Sequence, residues 1–179
     1  QSLVLPAPAG LEATHLVAIG AGKADGFDDL ALENAAAGAF GSVKSSGTAT
    51  LAIDLSDLSP EQAARAGFAV RLGAYRFDES RTTEKPEAKP SVTLVQIVTA
   101  NPAAAAKAFD AFDAVADAVL FARDLVTEPS NVLYPEEYAR RCKALESLGI
   151  EVEVLGEAEM TKLGMGSLLC VGQGSRRES

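Results

Sequence analysis

The sequence predicts an α/β protein with a mostly parallel sheet and helices on both faces. Three observations favour this class. Strand-like apolar runs alternate with helical periodicity, capping residues stand where helices should begin, and 47% of the 179 residues are hydrophobic. Strands that alternate with helices are joined by right-handed crossovers, which make neighbouring strands parallel. The length suits one domain, or one domain and part of another.

Five apolar or β-branched runs predict the strands, which are residues 15–19, 48–55, 91–99, 150–155 and 167–171. The third run is the longest, so it predicts a central strand. The fourth run alternates apolar and acidic residues, which predicts a strand with one buried face. A short apolar stretch also precedes the first run and ends at Pro6 and Pro8.

Helix signals fill the intervals between these strands. An Ala-rich helix capped by Asp25 or Asp28 is predicted to run to about residue 40, with core positions Leu30, Leu32, Ala36 and Phe40. Ser59, Pro60 and Gln62 predict the next start, because serine caps, proline suits the first position and glutamine can close a capping box. Its core positions are Ala63, Ala66, Val70 and Tyr75.

The longest predicted helix covers residues 101–126. Its apolar residues recur at steps of three and four, and we expect both Phe109 and Phe112 to face the core. At roughly 38 Å it is longer than a typical domain helix, so it predicts a connection between two domains. Two shorter helices are predicted from Pro135 to Gly149 and from Glu157 to Gly164.

Composition excludes several classes of function. The formal net charge of −9 disfavours binding to nucleic acid or to anionic membrane surfaces. Two cysteines without CxxC spacing and a single histidine exclude a disulfide framework and an ordinary zinc site. No apolar run reaches the length of a membrane span. We therefore predict a cytoplasmic protein.

A glycine pair follows the first strand and precedes a helix, as in a dinucleotide fingerprint. Gly20 and Gly22 fit that pattern, but Asp25 occupies the third glycine position and Gly26 comes one residue late. A carboxylate there would face the phosphates. A strand-to-helix turn is favoured, and a nucleotide-binding module remains an alternative.

Two further segments combine turns with charge. Gly172, Gln173, Gly174 and Ser175 precede Arg176 and Arg177, a pattern that fits a glycine-rich turn better than a phosphate cradle. Arg123, Asp124 and Glu128 predict an ion-pair cluster that fixes the loop after the long helix. The functional alternative for this cluster is to organise a site.

The remaining reactive side chains favour structural roles. His15 has no paired acid or cysteine motif, so a surface or hydrogen-bonded histidine is expected. Cys142 and Cys170 fit small buried apolar positions. Glu136 and Glu137 fall in a first helical turn, where carboxylates complement the helix dipole.

Two segments resemble motifs of the leucyl aminopeptidase (cytosol aminopeptidase) family. Residues 122–135, ARDLVTEPSNVLYP, resemble A-R-D-L-V-N-x-P-x-N-x-x-x-P, and residues 163–175, LGMGSLLCVGQGS, resemble L-G-M-G-x-x-x-x-V-x-Q-G-S. Residues 73–78 and 19–23 resemble the family's Y-x-F-D helix end and G-x-G-K turn. Thr127 stands where asparagine is usual, and Cys170 replaces an ordinary apolar residue.

The resemblance implies a hydrolase in which two divalent ions, zinc or manganese, activate water against the first peptide bond of a peptide. It also implies a homo-hexamer. The family's ligands lie in V-G-K-G-x-x-F-D-x-G-G and N-T-D-A-E-G-R motifs, neither of which occurs here. We therefore assign no catalytic, cofactor-binding or metal-ligating residue, and expect no cofactor on this chain and no activity from it alone.

The resemblance further implies an internal piece of a longer enzyme. Residues 1–100 would form most of a macro-domain-like N-terminal domain, 101–126 a linking helix, and 127–179 the opening of a second, catalytic α/β domain. Two other functions stay open, a nucleotide-binding module around Gly20 and Gly22, and an assembly domain without its own site.

Overall fold

The computed structural model describes residues 2–177, which divide after Phe121 into two compact units. The first unit contains four strands, β1 (Ser2–Pro6), β2 (His15–Ile19), β3 (Thr50–Asp54) and β4 (Leu94–Val98). Its helices are α1 (Asp29–Val43), α2 (Pro60–Gly73) and most of α3 (Pro102–Thr127). The chain therefore has the α/β class that the sequence predicts.

The strands of the first unit form two separate ladders among the described residues. β1 and β2 are antiparallel, with Ser2 opposite Ile19. β3 and β4 are parallel, with Thr50 opposite Leu94. α2 provides the crossover between β3 and β4. The long run at 91–99 was predicted to be central, but its strand has one partner in the described ladder, β3.

Helices α1 and α2 pack against each other and supply most of the core. The buried cluster consists of Leu32, Ala36, Phe40, Val43, Ala66, Ala69, Val70 and Val92. Half-buried residues from three strands pack against it, including Val17, Leu51, Ile53 and Val95. The small alanines let the two helices approach closely, since packing distance depends on the side chains at the contact.

The starts of both helices follow from their capping residues. Asp28 is the N-cap of α1, and its Oδ1 accepts a hydrogen bond from the Ala31 amide at 2.8 Å. Ser59 and Gln62 form the predicted capping box of α2, with bonds of 3.2 and 3.0 Å. Of the core positions predicted for α1, Leu30 is wrong, because it lies in the exposed first turn.

α3 packs through small residues and two half-buried rings. Ala105 and Ala116 are buried, whereas Phe109 and Phe112 keep part of their surface exposed. A Cβ added at Gly67 would lie 3.3 Å from the Phe109 ring, so glycine permits this close approach. The Phe112 ring centroid lies 5.4 Å from that of Phe68.

The β3–β4 ladder is covered on one face only by the described residues. Leu51, Ile53, Val95 and Ile97 alternate inward and are half-buried. The alternate residues of both strands are exposed, namely Thr50, Ala52, Asp54, Leu94, Gln96 and Val98. Among the described residues of the first unit, no helix covers this second face, where a further layer of helices was expected.

The second unit is helical where it has regular structure. Its helices are α4 (Pro135–Lys143), α5 (Glu157–Lys162) and α6 (Gly166–Gly172). The strand predicted at 167–171 is wrong, because these residues lie in α6. The run at 150–155 forms no ladder with any described residue. A helix satisfies its backbone groups within one segment, whereas a strand needs a neighbour.

No described helix combines the length and the apolar character needed to cross a lipid bilayer.

Candidate functional site

The Gly20–Gly22 turn lines a cavity of about 520 Å³. Ser2 and Ile19 from the antiparallel ladder border it, and α1 contributes Ala31, Asn34, Ala35 and Gly38. Gly22 has a φ of +94°, a left-handed conformation that favours glycine. The sequence motif therefore lies beside a cavity that runs along residues 31–38 of α1.

The carboxylates at the start of α1 oppose phosphate binding at this helix N-terminus. Helix α1 begins at Asp29, and the carboxylate of Asp28 already accepts a hydrogen bond from one of the first-turn amides, that of Ala31. Asp29 adds a second carboxylate in the first turn. Asp25 lies in a separate 3₁₀ turn, Ala24–Gly26. The geometry therefore favours a capped strand-to-helix turn over a nucleotide site.

A second cavity of about 460 Å³ lies between α2, β4 and the start of α3. Its wall is mostly apolar, with Val95, Ile97 and Phe109 among the lining residues. Thr99 also lines it, and its buried Oγ1 has no hydrogen-bond partner. Arg71 stands at this cavity and binds Asp113 and Asp117 of α3.

The second unit contains a four-residue ion-pair network, which we call the Glu128 network: Glu128, Arg141, Glu137 and Arg140. Arg141 donates to Glu128 Oε2 and to Glu137 Oε1, each at 2.8 Å. Arg140 binds both oxygens of Glu137 at 2.6 and 2.7 Å. Glu128 is the most enclosed member, with 11% of its side chain exposed. The network ties the loop after α3 to α4.

Hydrogen bonds and charges within the network shift the pKa values of Glu137, Arg140 and Arg141. The bonds from Arg140, and then those from Arg141, lower the pKa of Glu137 to about 2. The carboxylates of Glu128 and Glu137 raise the pKa of Arg141 above its usual value. Glu137, Arg140 and Arg141 are therefore charged near neutral pH.

A stacking contact joins the two segments that carry the family resemblance. The guanidinium carbon of Arg177 lies 3.7 Å from the centroid of the Tyr134 ring. Tyr134 belongs to the segment 122–135, and Arg177 follows the segment 163–175 by two residues. Arg177, two residues after this segment, thus stacks on an aromatic face, the arrangement of a cation–π contact.

The sequence prediction identified only part of this arrangement. Glu128 was predicted to join an ion-pair cluster, and it does so, with Arg141. Thr127 Oγ1 donates to the Arg123 carbonyl at 2.7 Å and closes the end of α3. Arg141 and Tyr134 were missed. Glu137 and Arg141 are four residues apart in a helix, and this spacing could have predicted the ion pair that Arg141 makes.

The other reactive residues do not converge. His15 Nδ1 lies 3.2 Å from Thr14 Oγ1 near the surface, and Glu136 is exposed. Cys142 is half-buried, and its hydrogen bond raises the pKa of Tyr138. Cys170 was expected to be buried but is exposed on α6. Within residues 2–177, no three His, Cys, Asp or Glu side chains are grouped so that they could hold a metal ion.

Sequence profiles of one family match both ends of the chain. The profile of the cytosol aminopeptidase family N-terminal domain matches residues 1–84. The profile of the same family's catalytic domain matches residues 120–179. The chain belongs to the cytosol aminopeptidase family. This membership confirms the resemblance carried by residues 122–135 and 163–175.

Curated relatives of the family agree over the whole chain. A probable cytosol aminopeptidase of Caulobacter vibrioides is 56% identical over 179 residues, which are 100% of this chain and 36% of the relative. One from Rhodopseudomonas palustris is 45% identical and is likewise covered over 36% of its length. The chain thus spans about a third of the relatives that it matches.

Solved structures of two relatives share the fold. The bottromycin maturation enzyme BotP has a TM-score of 0.77 and 28% identity, with 99% of this chain and 38% of that chain covered. A tomato leucine aminopeptidase mutant has a TM-score of 0.79 at 21% identity, covering 96% of this chain and 35% of that one. The similarity to the tomato enzyme shows a shared fold alone.

Proposed function

We propose that this chain is the non-catalytic portion of a longer, dinuclear-metal aminopeptidase that removes N-terminal residues such as leucine from peptides. In this proposal residues 1–100 are the N-terminal domain, 101–126 the linking helix, and 127–179 the beginning of the catalytic domain. The match of residues 120–179 to the family's catalytic-domain profile carries the proposal. The chain covers 36% of the length of the Caulobacter vibrioides relative, which supports a chain that is only one portion of the enzyme.

The metal site of this proposal does not fit the residues of the chain. A dinuclear site needs several converging oxygen or nitrogen ligands, and no such group is found in the described range 2–177. Glu128 and Glu137, the enclosed carboxylates of the second unit, are already neutralised by arginines. We assign no ligand and no catalytic step to this chain.

The chain's contribution is instead to hold the loop that opens the catalytic domain. The Glu128 network fixes one side of the loop to α4, and the Tyr134–Arg177 stack fixes the other end to the turn after α6. Charge-assisted bonds of this kind are stronger than neutral ones, so they give the loop a defined course. In the longer enzyme, this fixed loop would support the residues that follow it in the catalytic domain.

The finer features of the proposal come from the relatives. Peptides with a free N-terminus would be the substrates, the assembly would be a hexamer, and the location would be the cytoplasm. The names of the curated relatives support the substrate class and the location. Manganese or zinc would be the metal, and the structure of BotP in complex with Mn supports the first.

An activity assay tests the proposal directly. The purified 179-residue chain and the protein encoded by the full reading frame are each incubated with leucine p-nitroanilide and excess Mn²⁺ or Zn²⁺. We expect turnover only from the longer protein, and its loss on chelation. Metal-dependent turnover by the 179-residue chain would contradict the non-catalytic role. A longer protein inactive with both metals would contradict the aminopeptidase assignment.

A further inference from the structure

Small residues create the cavity of about 460 Å³ between α2, β4 and the start of α3, which we call the α2–α3 cavity. Helix α2 lines it with Ala63, Ala64 and Gly67, and α3 lines it with Ala105 and Ala106. These side chains are too short to reach across, so they leave room between the two helices. The α2–α3 cavity is about three times as large as a cavity of roughly 150 Å³ that binds benzene. It therefore has the volume for a small organic molecule.

One polar group of this cavity lacks a partner. Thr99 lines the cavity, and its buried Oγ1 makes no hydrogen bond with any described residue. A buried hydroxyl without a partner is unfavourable, and a bound molecule that pairs with it would relieve that cost. Thr99 also directly follows β4, and ligands of parallel α/β sheets bind beyond the carboxyl ends of strands. The hydroxyl is therefore the group that would orient a ligand.

The charges beside the cavity favour a neutral ligand. Among the lining residues in the described part of the chain, Arg71 is the one with a formal charge. Its guanidinium already donates to the side chain and the carbonyl of Asp113 and to the side chain of Asp117. An anion would thus meet two carboxylates beside a single cation that is already paired.

We propose that the α2–α3 cavity binds a small, neutral, largely apolar molecule that carries one hydrogen-bonding group for Thr99. Apolar side chains such as Val95, Ile97 and Phe109 would supply most of the contact surface, and the hydroxyl would fix the orientation. The bound molecule would contact α2 and α3 together. The site lies in the first unit and uses no residue of the proposed catalytic domain.

Two probes that differ by one hydroxyl test the role of Thr99. The protein of the full reading frame is titrated by calorimetry with p-ethylphenol and with ethylbenzene. We expect one molecule of p-ethylphenol to bind per chain, about twofold to tenfold more tightly than ethylbenzene, as one net hydrogen bond predicts. Thr99→Val keeps the shape of the side chain and should abolish this preference. The absence of binding by either probe would overturn the proposal, and equal affinities in the unmodified protein would overturn the role of Thr99.

A matched pair of substitutions locates the binding on the molecule. Ala103 and Ala106 are both exposed on α3, but only Ala106 lines the cavity. Ala106→Phe should occupy part of the space and weaken both probes at least about tenfold, whereas Ala103→Phe should leave both affinities within about twofold. Circular dichroism checks that each variant is folded. Undiminished p-ethylphenol binding by folded Ala106→Phe protein would place the bound molecule elsewhere and contradict the proposed site.

Discussion

The two units of the chain are stabilised by different forces. The first has an apolar core between α1, α2 and the strands, with residues such as Phe40 and Val70 about 5% exposed. In the described part of the second unit, Met160 is the one buried apolar residue. That unit depends instead on the Glu128 network and on the Tyr134–Arg177 stack. Many of its large apolar side chains are exposed, for example Leu148 and Val171.

This contrast shows which unit is stabilised by an apolar core of its own. Apolar burial is the main favourable term in folding, whereas a partly exposed ion pair contributes little. The first unit can therefore hold its helices together with its own residues. In the second unit, ion pairs fix the path of the backbone, but little apolar surface is buried. The chain thus contains a region with a buried apolar core and a region in which Met160 is the one buried apolar residue among those described.

The largest expected effect is a core truncation. Phe40→Ala removes a ring that is 5% exposed, and we expect a loss of about 3–5 kcal/mol in the free energy of unfolding of the first unit. Val171→Ala, at a side chain 78% exposed, should change stability by less than about 0.5 kcal/mol. Chemical denaturation followed by circular dichroism measures both. Equal losses would contradict the contrast between the units.

A smaller effect should distinguish two neighbouring arginines of the Glu128 network. Arg141→Met leaves the enclosed Glu128 without its cation, so exchange of the α4 amides should accelerate. Arg140→Met is the matched control, because Arg140 is 70% exposed and touches Glu137 alone in the network. We expect little change in the control. Indistinguishable exchange in the two variants would show that the contact to Glu128 does not hold the loop.

The smallest expected effect is a pH dependence in the second unit. Its folded state lowers the pKa of Glu137 from 4.5 to about 2 through Arg140 and Arg141. The resulting stability is present above pH 4.5 and is lost as the pH falls toward 2. Glu137→Gln should flatten this part of the stability profile for α4. An unchanged acid profile in the variant, measured by exchange at several pH values, would show that Glu137 is not the responsible group.

Local signals in the sequence predicted the first unit well. The Ser59–Gln62 capping box and the Asp28 cap are confirmed, because a cap depends only on residues three positions apart. Periodicity placed Leu32 and Ala36 in the core correctly. The core prediction for Leu30 is wrong. Periodicity identifies the buried face of a helix, but it does not show that the first turn is left exposed by the elements around it.

The second unit was predicted less well, for a physical reason. The run at 167–171 is short and apolar, and such a run is compatible with either a strand or a helix. Its leucines and cysteine carry little β preference, and only Val171 is β-branched. The link between Arg177 and Tyr134 spans 43 positions and has no periodic signature, so no local pattern could reveal it.

The register of β3 and β4 also sets an order for folding. It pairs residues 44 positions apart, as in Thr50 with Leu94, and all of α2 lies between them. Closing so long a loop costs entropy before the first ladder bond forms. During synthesis, the β3–β4 ladder therefore cannot be completed before residue 98 has been added. During that interval the docking of α2 onto α1 is the step that shields apolar surface, which makes this helix pair the early guard against aggregation.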